Sequence, residues 1–493
     1  YHNRDGQIRG STVSQPLDFA KNDYSIRGDL KFVASPDLTI TLLGQYSNAR
    51  LGGGILNVVP IERFNDLSLL VDENFRGDNH RRIWQAAGKI EWSTPIGALT
   101  AVSSYADLND YLYSDNDFSA ERFGVQLNAN RIHSFTQDIR LVSDSDKPLR
   151  YIVGGFYQDR KKHFLYQSQP DLPDDSTPLF DFDTETGATR TNSRAFAVFA
   201  NVSYDITSRL EGTVALRYDS DRRTFLIRND ATRPDRTDRQ TFHALQPKAS
   251  LSYKITPDLL TYANYSRGFR TGGFNDPRYS FQPGFYAAET SDSFEVGVKA
   301  TLLDGAMTLN GAVYHITLKN DQTTRFDLVS FTIGNQNLRS VESNGVEVEL
   351  NARPIRGLEI NVGLGTADAI IKDFNGTTIN DNNKVPYVPS YTLNTSVTYE
   401  TPISDDWKAL VRVAYRQNGA TDWDVFNYYR TGTKGYLDGR IGVNSDHLSL
   451  AVYARNLLNT LQPVGADDFI PNVTVIRSPS VPRSYGVEAR FRF

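Results

Sequence analysis

Seven histidines, at positions 2, 80, 133, 163, 243, 315 and 447, are the side chains best suited to proton transfer or metal ligation near neutral pH. They are scattered: no HExxH spacing brings two onto one metal, and no GxSxG turn presents a nucleophile. Cysteine is absent, which excludes a disulfide framework and a thiolate zinc site. The chain therefore reads as a non-enzyme with no catalytic residue, no metal ligand set and no cofactor. The stretch TYANYSRGFRTGGFN, residues 261–275, carries Gly268, Gly272 and Gly273, but these fit neither GxGxxG nor GxxxxGK[ST], so no phosphate cradle is implied. An Arg-Gly-Gly nucleic-acid segment would need basic, low-complexity surroundings. Here 53 basic residues face 58 acidic ones, for a net charge of -5, and no nucleic-acid partner is expected.

What remains is recognition chemistry. After Arg267 and Arg270, the segment 272–288 supplies Phe274, Arg278, Tyr279, Phe281, Phe285 and Tyr286. A second segment, 420–432, supplies Trp423, Phe426, Tyr428, Tyr429 and Arg430. Aromatic faces interleaved with arginines suit planar, anionic or iron-chelating ligands through stacking, cation-π contact and forked hydrogen bonds. These thirteen side chains are the candidate substrate contacts. The competing reading is that the aromatics pack loop on loop or form an interfacial girdle, with the arginines meeting lipopolysaccharide phosphates. A third segment, 168–189, holds Asp171, Asp174, Asp175, Asp181, Asp183 and Glu185 without a Lys or Arg. It lacks EF-hand spacing and reads as a solvated acidic loop.

Such segments need a scaffold, and the composition points to strands. The chain has 27 Phe, 26 Tyr and 4 Trp in 493 residues, yet is only 39% hydrophobic with a mean hydropathy of -0.44. No run of about 20 apolar residues offers a helical membrane span. Period-two alternation is instead pervasive: Tyr391, Leu393, Thr395, Val397 and Tyr399 oppose Asn394, Ser396 and Glu400, and Val411, Val413 and Tyr415 oppose Arg412 and Arg416. This patterning predicts 19 strands, at 25–34, 37–50, 81–92, 97–113, 131–143, 149–167, 190–205, 209–226, 238–255, 258–271, 289–301, 306–322, 329–351, 358–372, 387–400, 405–419, 433–443, 447–456 and 482–493. Short turns such as SPD, TPI and LLDG alternate strictly with longer connections, the largest at 51–80, 114–130, 168–189, 272–288 and 457–481. That asymmetry predicts an all-β, transmembrane antiparallel barrel with short periplasmic turns and long extracellular loops. The polar face carries Glu211, Arg217, Glu295, Lys299, Arg412, Arg416, Arg455 and Arg490, which the alternation turns toward the lumen. Both the strand at 25–34 and the last strand descend toward the short-turn side. A barrel with both ends on that side has an even number of strands, so an upward strand is expected before residue 25.

Several stretches together resemble the TonB-dependent outer-membrane receptors: TYANYSRGFRTGGFN, YAAETSDSFEVGVKATLLDGAMTLNGAVYH (286–315), NLRSVESNGVEVELNARPIRGLEINVGLG (337–365), YARNLLNT (453–460) and a last strand ending at Phe493. The resemblance implies a barrel of 22 strands when complete, with residues 1–493 as a barrel domain lacking its first strands. It implies a plug domain and a TonB-contacting segment outside this sequence, with the lumen residues named above facing the plug. It further implies a Gram-negative outer-membrane transporter that binds a scarce large solute, a ferric siderophore above other classes, and imports it with energy transduced by TonB. The expected partners are outer-membrane lipid and lipopolysaccharide, the TonB complex, the protein's own plug, and a small-molecule or metal-chelate substrate. A passive porin-like channel and a barrel-anchored surface receptor stand as the alternatives.

Overall fold

The computed structural model describes residues 2–67, 71–169, 188–228, 235–276, 284–327, 332–376, 381–470 and 474–492. Its main body is one 21-stranded sheet in which every pairing is antiparallel and follows chain order. Leu358–Thr366 and Asp368–Asp373 are one strand interrupted at Ala367. Counting that strand once and setting aside the short His2–Arg4, the sheet contains the 19 strands expected from the alternation.

Several observed strands run further toward the long loops than the alternation suggested, while others, such as Tyr391–Pro402 and Lys408–Asn418, stop short of it. The strand placed at 131–143 is Val125–Val142, and that placed at 81–92 is Asp78–Thr94. The physical reason is that alternation fades at these tips. Val125, Leu127 and Ala129 are fully buried there under loop residues, so the wall no longer has one wet and one greasy side.

In the body of the sheet the apolar side chains are exposed rather than buried. Phe294, Val296 and Val298 are 54%, 55% and 38% accessible, and Trp84 and Trp92 are 47% and 50%. A greasy band of this extent in water would drive aggregation, and lipid is the solvent that suits it. From Trp84 to Trp92, or from Phe294 to Leu302, its height matches the roughly 9 to 11 residues a tilted strand needs to cross a bilayer. At its loop-side margin Tyr46, Trp84, Tyr105, Phe135, Tyr157, Phe196, Tyr218, Tyr265 and Phe294 form a girdle, with neighbouring rings in contact, as in the 5.4 Å edge-to-face pair Trp84–Tyr105. Among the described residues no helix is long and apolar enough to span a membrane.

Buried apolar residues gather at the long-loop end. Residues 51–80 and 457–481, read from sequence as connections, contain the strands Asn57–Pro60, Pro463–Ile470 and Thr474–Pro479, which form a separate three-stranded sheet. Over it Val59, Phe64, Trp423, Tyr429, Ala466 and Val475 make one cluster from three distant loops. Strand Pro463–Ile470 also packs on Met307–Asp327, far away in sheet order, so this loop bridges the opening.

Candidate functional site

The stretch 261–275 is where a wall strand becomes a mouth loop. Along Leu259–Arg270, Ala263 and Tyr265 lie on the exposed apolar face, and the register continues it to Arg267. Arg267 forks onto Asp292 at 2.8 and 3.0 Å, and the Tyr265 hydroxyl donates to the same carboxylate at 2.8 Å. Arg267 therefore stands on the outer wall above the girdle. Period two puts it there, one residue out of step with Arg270.

Arg270 points to the other face, 3.7 Å from Glu289. The loop beyond it is clamped at both ends. Gln322 Nε2 donates to the Thr271 and Ala287 carbonyls at 3.0 and 3.1 Å, and Asn337 exchanges hydrogen bonds with Ala287. Arg223, on the same side as Arg217, donates to the Gly272 carbonyl at 2.8 Å. Gly272 is a packing requirement: a Cβ there would lie 2.3 Å from the Tyr286 carbonyl oxygen and 2.6 Å from the Phe242 ring. Phe274 then stacks on Phe225 at 5.6 Å and Phe285 on Phe242 at 6.2 Å, which lays the loop over the lumen side. Tyr286 is half-buried and pairs with Gly273, while Phe285 stays 44% exposed. Arg278, Tyr279 and Phe281 lie outside the described residues, as do residues 170–187 of the acidic loop.

Between loop and wall sits an acidic pair. Burial, and the Glu289 carboxylate beside it, push Asp321 up to about 6. Asp321 lies beyond His315, the residue opposite Phe294 in the girdle, and so outside the membrane band. A raised acid favours the protonated native form. That stabilisation is fully present below the ordinary value of 3.8 and is lost as pH rises through about 6. Asp321→Asn, which mimics the neutral form, is expected to flatten the pH dependence of amide protection at 271–276 and 284–288 between about pH 4 and 7. The effect should be on the order of 1–2 kcal/mol. Unchanged pH dependence would rule Asp321 out.

The second segment divides in two. Trp423 and Tyr429 are 7% and 1% exposed, within the cluster formed with Val59, Phe64 and Val475. They pack loop against loop, as the competing reading of these aromatics has it, with residues that arrive from segments 51–80 and 457–481. Phe426 packs on Phe374 and stacks at 5.4 Å beneath Tyr428, which is 47% exposed. Arg430 is open, with Asp422 at 4.0 Å. Of the described candidates, Arg270, Phe285, Tyr428 and Arg430 present accessible side chains at the loop end, clear of the outer wall and of the buried loop core.

Below the mouth, the eight residues named for the lumen lie opposite the exposed aliphatics. Arg217 forks onto Asp219, Glu211 pairs with Arg150 at 2.6 Å, and Lys299 sits 5.6 Å over the Tyr262 ring. Glu295 occupies the same face. Arg412 and Arg416 line a cavity of about 430 Å³ with Glu349, Asn361, Asn394 and Asp438. Arg455 lies 5.2 Å over Tyr453, and Arg490 is 3.3 Å from Glu488. Sequence reasoning missed Arg477, 1% exposed, whose guanidinium donates to the carbonyls of Arg63, Phe64 and Asp66. The alternation in TVIRSP was the available signal, since it marks a strand inside a supposed loop.

Comparison with known proteins places this geometry. The family model described as TonB dependent receptor-like, beta-barrel matches residues 11–457. The metal-pseudopaline receptor CntO of Pseudomonas aeruginosa is 28% identical over 130 residues, 26% of this chain and 18% of that receptor. The match thus spans less than a fifth of its length. Among solved structures, the ferric yersiniabactin uptake receptor FyuA from Yersinia pestis superposes with a TM-score of 0.80 at 16% identity, covering 100% of this chain and 74% of that one. The siderophore receptor PiuA from Acinetobacter baumannii gives 0.75 at 16%, covering 97% and 75%. The copper transporter OprC gives 0.74 at 12%, covering 100% and 74%.

Proposed function

The chain belongs to the TonB-dependent receptors, outer-membrane proteins of Gram-negative bacteria that are transporters and not enzymes, and from that premise we propose that it captures a scarce metal chelate, a ferric siderophore above others, for import energised through TonB. The observation that carries this reading is the set of accessible aromatic and arginine side chains at the mouth, Arg270, Phe285, Tyr428 and Arg430, above a polar lumen. The names of the similar receptors, which concern siderophores and metals, support the substrate class. The loop bridging the opening argues against a passive porin.

Residues 1–493 form, in this proposal, the barrel domain of a longer receptor with a plug and a TonB-contacting segment. Among the described residues Ser484–Phe491 pairs only with Leu448–Arg455, and most of Ala20–Ser35 only with Leu38–Leu51, so both edges have room for closing strands. The charged lumen face would then hydrogen-bond to the plug. The test is uptake of radiolabelled ferric siderophores by iron-starved cells with and without TonB. Uptake that persists without TonB would refute energised import, and surface binding with no uptake would favour an anchored receptor.

The outer wall supports the lipid partners. A depression of about 780 Å³ lined by Val214, Leu251, Ala263, Phe294 and Val296 suits acyl chains. Above the girdle Arg194, Arg222, Arg239 and Arg267 are exposed on the same side, and Arg194 lies directly opposite Arg222. Asp159, 3.4 Å from Arg194, already offsets part of the repulsion between these opposed like charges, and a lipopolysaccharide phosphate bridging to Arg222 would add to that. Each arginine near such a surface contributes about 1 kcal/mol. Arg194→Gln with Arg222→Gln is therefore expected to weaken lipopolysaccharide binding on the order of 10- to 30-fold. Equal co-purification with the wild type would count against this contact.

A further inference from the structure

The loop side holds one acidic cluster that neither solute capture nor lipid contact uses. Glu73 and Asp115 are each 1% exposed, and they come from different elements. Glu73 precedes Asp78–Thr94, and Asp115 ends Gly97–Asp115, well beyond the girdle residue Tyr105. Glu73 Oε1 accepts the Leu56 N–H at 2.9 Å. Asp115 Oδ1 accepts the N–H groups of Asp117 and Phe118 at 2.9 and 3.0 Å, while its buried Oδ2 has no hydrogen-bond partner.

Asn74 completes the group. Its backbone N–H acts on the Asp115 carboxylate. Its Nδ2 donates to the Glu121 carbonyl, which fixes the orientation of the amide. The Oδ1 that results is also buried without a donor. These two buried oxygens, on residues linked through the Asn74 backbone N–H, have lost water without gaining a donor, which disfavours the closed mouth unless something meets them. Neighbouring charge makes matters worse, since Asp115 bears on Glu73 and Asp117 on Asp115. Burial pushes Glu73 up to about 8 and Asp115 up to about 6. Among the described residues, no positive group bears on either carboxylate.

We propose that Glu73, Asn74 and Asp115 bind a calcium ion that fastens the loop-side mouth. The donors are all hard oxygens, from two carboxylates and an amide, and backbone carbonyls and water complete a calcium shell where a transition metal would seek nitrogen or sulfur. Among the described residues no three His, Cys, Asp or Glu side chains converge, so the amide oxygen is essential to this set. The ion would join three pieces of the mouth. Segment 71–77 is tied to the chain's opening by Ser11 N–H on the Val71 carbonyl and Thr12 Oγ1 on the Glu73 carbonyl, both 2.8 Å. Phe75 seats on Tyr113 at 4.8 Å, and Asn74 reaches Glu121 in the next turn.

The test is calcium titration of the full-length protein in detergent, followed by calorimetry and by amide exchange at 71–77 and 114–118. We expect one ion per chain with a Kd on the order of 10⁻⁴–10⁻³ M, as for extracellular modules. Asp115→Asn should abolish binding and Glu73→Gln weaken it at least about tenfold, with protection rising on calcium only in the wild type. Asp174→Asn with Asp175→Asn, in the acidic loop 168–189, should change nothing. Absence of calcium binding, binding that both site variants retain, or binding lost with the acidic-loop variant would each overturn the proposal. Glu73→Gln keeps the Leu56 hydrogen bond, so it decides the matter if Asp115→Asn does not fold.

Discussion

Arg477→Ala is expected to unfasten the three-stranded sheet at the mouth while the barrel strands stay paired. The guanidinium is fully buried and serves the carbonyls of Arg63, Phe64 and Asp66, with the Asp66 charge nearby. Truncation leaves three carbonyls without a donor and a cavity beneath Val59 and Val475, at a cost of about 3–5 kcal/mol. Lysine should not rescue, because a single ammonium cannot fork across carbonyls of successive residues. Hydrogen exchange reads the result. Amides at Val58, Val59, Val475 and Ile476, which pair across the sheet, should exchange at least about 100-fold faster, with unchanged protection in Glu289–Leu302. If both regions exchange as in the wild type, Arg477 is not the fastener. If both loosen together, the mouth and wall are one cooperative unit.

The second large effect concerns capture. Phe285 and Tyr428 are accessible rings on rings: Phe285 lies on Phe242, and Tyr428 on Phe426. Removing the outer ring of each stack leaves the inner one in place, so the loops keep their support and only the presented surface changes. An aromatic contact contributes roughly 1–2 kcal/mol when a ligand covers it. Phe285→Ala with Tyr428→Ala is therefore expected to weaken capture of the chelate by about 10- to 100-fold, with the salt dependence set by Arg270 and Arg430 preserved. Wild-type affinity in that variant would move the binding surface elsewhere, to the segment 277–283 or to the plug.

The sequence read the barrel well because a barrel is made of local regularities. Whether a residue such as Val296 or Glu295 faces lipid or lumen depends on its parity within one strand, and the pattern needs no knowledge of the rest of the chain. Turn residues at 302–305 or 354–357 announce themselves in the same local way. Strand number, chain order and the inequality of the two ends followed from these signals.

The mouth did not follow, because its contacts are not local. Trp423 and Tyr429 have the same residue types and setting as Tyr428, and only the arrival of Val59, Phe64 and Val475 from other loops buries two of the three. Arg267 and Arg270 look equivalent in SRGFRTGG, yet a difference of three positions places one on the outer wall and the other beside Glu289. The opening motif was legible as a strand leaving the membrane. Which of its arginines stays on the outer wall and which turns to the other face was settled by register against Glu289–Leu302. Glu73, Asn74 and Asp115, and Arg477 with its three carbonyls, are unremarkable in sequence and become sites only where distant loops close over them. Spacing along a chain fixes the faces of a strand, whereas burial and partnership at a loop are decided by whichever other segment the fold brings to it.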